Sequence, residues 1–164
     1  LNLLLKNPNL NEEQAKEIVE SILENQDQAN QILWESFESE KNKKSSYLLN
    51  SIGAFLLNFE ENHSRLNREM SNLLDKIEIK DYQGDTEMAI QDDEFNKHLS
   101  LHSLFLQSSD SAERAYFETL NWVNSSRNEF YKESLLTQFM SQFPDYVEQN
   151  QEEFCKNLDG KICN

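Results

Sequence analysis

Glu94, His98 and His102 stand at successive i,i+4 spacings, and on a helix they share one stripe. Two imidazoles one turn apart can chelate a single metal ion, with the carboxylate as a third donor. The segment is not an HExxH motif, because position 99 is Leu. A zinc site, structural or catalytic, would need a further ligand from elsewhere. The competing reading is two boundary histidines packed against their neighbours.

A second constellation runs from Asp81 to Asp92, with acids spaced loosely as in a calcium loop. It departs from an EF-hand at three places. The third position is Gln83, the sixth is Thr86 where the turn needs glycine, and the last is Asp92 rather than Glu. The acids Asp85, Glu87, Asp92, Asp93 and Glu94 read instead as a solvated acidic loop, able to present negative charge to a basic partner.

Other catalytic chemistry is poorly represented. The carboxylate neighbours Glu12–Glu13, Glu60–Glu61, Asp92–Asp93 and Glu152–Glu153 point in different directions on a helix, so none forms an acid/base pair. There is no GxSxG elbow, glycine-rich phosphate loop or dinucleotide fingerprint. Ser103 directly follows His102, and such neighbours do not face each other. These absences predict a chain that is not an enzyme and needs no cofactor.

Cys155 and Cys163 flank Asp159-Gly160, a turn signal that can bring the two sulfurs together. Oxidised, the bridge contributes roughly 2–3 kcal/mol and suits an exported protein, periplasmic or secreted. Reduced, the two are free thiols of a cytosolic chain. The sequence begins at Leu1, which fits a processed or trimmed product.

Trp34, Phe117, Trp122 and Met140 fall off the main apolar stripes of their helices. Aromatics and Met in such places are candidate anchors of a protein interface. Where a helix buries two faces, the same residues are core.

The charge balance narrows the partners. Fifteen Lys and Arg stand against 30 Asp and Glu, a net charge of −15. A nucleic-acid site needs a basic patch to displace counterions, and the one basic cluster, Lys41, Lys43 and Lys44, falls in a link between helices. Residues 1–80 carry a net −5 and residues 81–164 a net −10, so an electrostatic interface belongs to the second half. No apolar run approaches the ~20 residues that span a bilayer.

The elements that must position these residues are legible from what is scarce. Three glycines and two prolines are too few for the turns and bulges of a sheet protein, and they argue for helices joined by short polar links. Apolar periodicity predicts helices over 11–24, 27–40, 45–59, 62–77, 93–107, 110–124, 127–142 and 145–158. Asn11 and Gln14 form a capping box at the first. The stretch 45–59 is the most apolar and is expected to be the central, most buried helix, with Gly53 permitting a close helix contact. Residues 78–92 read as an acidic loop dividing two helical halves.

The expected fold is therefore all-α: one domain over 1–164, a bundle or short stack of about eight antiparallel helical hairpin elements. Ten Phe, five Tyr and two Trp supply its core. The expected function is a non-enzymatic protein-binding domain, of the acidic inhibitor or immunity type, engaging a basic protein. Two alternatives stand beside it. One is a metal-binding helical protein or enzyme built on Glu94, His98 and His102. The other is a helical scaffold or effector domain with no electrostatic role.

Overall fold

A computed structural model of the chain describes residues 12–43, 47–82, 85–152 and 154, with backbone alone for 12–24 and 47. Among these residues there are eight α-helices, one 3-10 helix and no strand, so the fold is all-α as expected. The helices are α1 (Glu12–Glu40), α2 (Tyr47–Leu56), α3 (His63–Leu74), α4 (Thr86–Gln91), α5 (Asp93–Gln107), α6 (Ala112–Ser125), α7 (Glu129–Gln142) and α8 (Pro144–Gln149). The 3-10 turn, Glu60–Asn62, leads into α3.

Two boundaries differ from the sequence expectation. α1 is one helix of 29 residues, with no link at 25–26. No glycine or proline interrupts it, and Asn25, Asp27 and Gln28 sit on its solvent side, where polar residues cost little. The segment 78–92 is not all loop, because it contains α4.

The centre of the fold is also not where apolar content put it. α5 packs against α2, α3, α4 and α7, while α1 lies on α2 and α6 lies on α7. Helices from both sides of residues 78–85 thus meet on α5. α2 is only ten residues long and turns Leu48 (55% exposed) and Phe55 (61%) to solvent. α5 buries Phe95, Leu101, Leu104, Phe105 and Leu106, and with them Lys97, His98 and His102. The expected close contact at Gly53 is present. A Cβ there would lie 2.6 Å from Leu104 Cδ1, so α5 approaches α2 over the glycine.

Helix starts are closed locally. Asp85, Asp92, Ser111 and Asn128 each accept a backbone N–H from the first turn of α4, α5, α6 and α7. Helix ends are closed differently. The usual device is a glycine in the left-handed conformation just past the last turn, and this chain has few. Local backbone and hydroxyl donors close most ends, and at three places a side chain from another element adds a bond to a carbonyl at or just beyond the last turn. The Lys97 ammonium on α5 donates to the carbonyls of Lys41 (3.4 Å) and Lys43 (2.5 Å), just beyond α1. Asn62 Nδ2 donates to the Leu56 carbonyl at the end of α2 (3.2 Å). Asn67 Nδ2 on α3 donates to the Phe105 carbonyl near the end of α5 (3.0 Å).

Candidate functional site

His98 and His102 point from α5 toward α6 and α7, and both are completely buried. Trp122 of α6 stands edge-on to each, with ring centroids 6.2 Å from His98 and 5.8 Å from His102. Its indole N–H reaches past them to Asp75 Oδ1 at 2.8 Å. The Tyr131 hydroxyl of α7 lies 3.0 Å from His98 Nε2 and 3.1 Å from Nδ1.

The tautomer of His102 follows from its neighbours. Gln138 Nε2 donates to the Leu99 carbonyl (3.1 Å), which aims the amide oxygen at His102 Nδ1 (2.7 Å). Nδ1 must then carry the proton, leaving Nε2 to accept from the Thr119 hydroxyl at 2.9 Å. Burial holds the ring neutral and lowers its pKa to about 4, with the Gln138 oxygen pulling the other way. Burial also lowers His98 to about 3, helped by the proximity of His102 and opposed by a hydrogen bond to the Leu74 carbonyl. The Tyr131 phenol is pushed up by burial.

This arrangement corrects the metal expectation. Both nitrogens of His102 are engaged with protein, and Glu94 completes no set with the pair. Among the described residues no group of three or more His, Cys, Asp or Glu is placed to hold a metal ion. The i,i+4 stripe is real, but it faces a core of aromatic rings and hydroxyls.

The exposed-anchor expectation fails for both tryptophans, each buried to below a tenth exposure. Trp34 donates its N–H to Asn62 Oδ1 (2.9 Å) and carries the Arg65 guanidinium 3.8 Å over its ring. Trp122 is the lid of the histidine pair. Met140 is half-buried against the core, and Phe117 alone of the four is exposed.

The acidic segment divides into two kinds of carboxylate. Asp85 accepts from the N–H groups of Glu87 and Met88, each at 3.1 Å. Asp92 ends α4 and opens α5, accepting from Glu94 N at 2.7 Å. It also takes the Tyr82 phenol and the Lys80 ammonium (3.2 Å). The Tyr82 hydrogen bond leads in lowering the Asp92 pKa to about 2, and burial together with Asp92 pushes Tyr82 up. Glu87 and Asp93 are exposed, and Glu94 is half-buried.

Between them lies what the sequence reading missed. α4 buries Ala89 and turns Met88 and Ile90 outward, 58% and 57% exposed. The signal was available: Asp85 followed by Thr86-Glu87 is a sound helix start. Two large apolar side chains thus stand in the most acidic stretch of the chain.

No family model, curated protein or solved structure matches this chain. Cys155 and Cys163 lie outside the described residues. Among those described, no helix is long and apolar enough to cross a membrane.

Proposed function

We propose that this chain is a non-enzymatic protein-binding domain that docks a basic protein through α4 and its acidic surround, as an inhibitor or immunity-type protein would. The observation that carries the proposal is α4 itself. Met88 and Ile90 are exposed on a six-residue helix bordered by Glu87 and Asp93. Apolar anchors supply the affinity of an interface once water is excluded from them. Surrounding charge steers the encounter and selects a partner of opposite sign, which the net −15 of the chain reinforces. Asp85 caps the start of α4, and Asp92 at its end caps the following α5, so the two apolar side chains are presented on a backbone anchored at both ends.

The test is titration against basic proteins encoded beside this one, at several salt concentrations. Tight binding that weakens with salt is expected. Met88→Ala with Ile90→Ala should speed dissociation at least tenfold. Glu87→Gln with Asp93→Asn should slow association and flatten the salt dependence. Salt-independent binding, or binding indifferent to both pairs of substitutions, would count against the reading and favour a scaffold without an electrostatic role.

A further inference from the structure

A large concavity lies between the segment that follows α3 and the end of α6. Its volume is about 820 Å³, within the range of small-molecule sites. Two hydrogen bonds fix its length. At one end Trp122 Nε1 donates to Asp75 Oδ1 (2.8 Å), and at the other Asn128 Nδ2 donates to the Lys80 carbonyl (3.2 Å). Between these pins the two chain segments form opposite walls. His98 and Tyr131 line the cleft from α5 and α7.

The lining has a definite chemistry. Ile77, Ile79 and the Trp122 ring give it flat apolar surface. Lys76 and Lys80 approach from one wall and Arg127 from the other, three of the 15 cations in the chain. Three acids, Asp75, Glu78 and Asp81, also line it, so the cleft is balanced in charge on a protein that carries twice as many acids as bases. Asp75 is occupied by the Trp122 indole, and Lys80 by Asp92. Lys76 and Arg127 form no ion pair among the described residues. His98 is held neutral beneath, so positive charge is confined to the walls.

We infer that this cleft is a binding site for a small planar organic anion, an aromatic carboxylate, with its ring against Trp122, Ile77 and Ile79 and its carboxylate met by the exposed cations of the walls, Lys76 toward the Trp122 end and Arg127 toward the Asn128 end. Two cations on opposite walls select a carboxylate at the mouth, and the apolar wall selects the ring. An inorganic anion would satisfy only the first, and a neutral aromatic amide only the second.

The indole N–H resonances provide the assay. The chain has two tryptophans, and the Trp122 N–H is one of the pins. The Trp34 N–H is bonded to Asn62 outside the cleft lining and serves as an internal control. Benzoate and indole-3-carboxylate should shift the Trp122 signal saturably and leave Trp34 unmoved. Lys76 and Arg127 are exposed, so Lys76→Gln with Arg127→Gln should preserve the helical circular dichroism while weakening binding about tenfold. The inference is overturned by the absence of a saturable shift up to about 10 mM, tenfold above a millimolar Kd. It is equally overturned if benzamide or phosphate shifts Trp122 as benzoate does, or if the double variant binds unchanged.

Discussion

Acidification should loosen this fold well before its carboxylates titrate, and the buried histidine pair sets the amount. In the unfolded chain each imidazole takes up its proton near pH 6.5. In the fold His102 resists until about pH 4 and His98 until about pH 3, chiefly because burial disfavours the charged ring. A folded pKa below the unfolded one means that stability is full above pH 6.5 and is lost as pH falls toward the folded values. Each histidine then costs about 1.4 kcal/mol per pH unit below 6.5, or about 2 kcal/mol at pH 5 relative to pH 7. The pair together removes about 4 kcal/mol, a large share of the roughly 5–15 kcal/mol that holds a domain folded. Asp92, lowered to about 2, opens a separate window between about pH 4 and pH 2. Urea unfolding at pH 7, 6 and 5 measures the first window directly. His102→Gln removes one titrating group and retains an amide able to meet Thr119 and Gln138. Its stability should be lower at pH 7, yet its loss between pH 6.5 and 5 should be about half that of the parent. Groups common to both proteins cancel in the comparison. Parallel slopes for the two would refute the reasoning.

Two further substitutions test the packing. Gly53→Ala gains up to about 1 kcal/mol of helix propensity. It also forces Leu104 Cδ1 away from a Cβ it would otherwise meet at 2.6 Å, and overpacking of that kind costs about 1–3 kcal/mol. A net loss of about 1 kcal/mol is expected in thermal melts, partly recovered by adding Leu104→Val. Asn62→Ala leaves the buried Trp34 indole N–H without its partner, while the Leu56 carbonyl keeps the Phe59 N–H, so about 1–3 kcal/mol should be lost. At this chain length that lowers the Tm by about 2–4 °C per kcal/mol.

The helices α3, α5, α6 and α7 were legible in the sequence to within about three residues, because each carries an apolar stripe bounded by polar links. What periodicity could not show was which helix the others surround. The apolar content of residues 45–59 pointed to α2, yet Leu48 and Phe55 face solvent. α5 looked more polar because of Lys97, His98 and His102, and these are buried because their partners arrive from elsewhere. Thr119 and Gln138 complete His102, Tyr131 meets His98, and the carbonyls past α1 hold Lys97. A sequence pattern records neighbours along one helix. It does not record hydrogen bonds between residues 17 to 56 positions apart. The candidate surface was half legible for the same reason. The acids of 85–94 were plain, whereas the outward turn of Met88 and Ile90 depends on α4 laying Ala89 against the core.

The way the helix ends are closed bears on how the molecule opens. Just past α1 the Lys43 carbonyl accepts from an ammonium 54 residues downstream, and near the end of α5 the Phe105 carbonyl accepts from an amide 38 residues upstream besides the local Ser108 and Ser109 hydroxyls. A helical hairpin cut from this chain would keep its own stripe contacts and local caps but lose these long-range donors. Amide protons in the final turns of α1 and α5 should therefore not fray independently; they become exchangeable when α5 leaves its site among α2, α3 and α7. A chain that by composition looks like a string of separable helical pairs is thereby tied together, with α5 as the piece that joins the end of α1 to the second half.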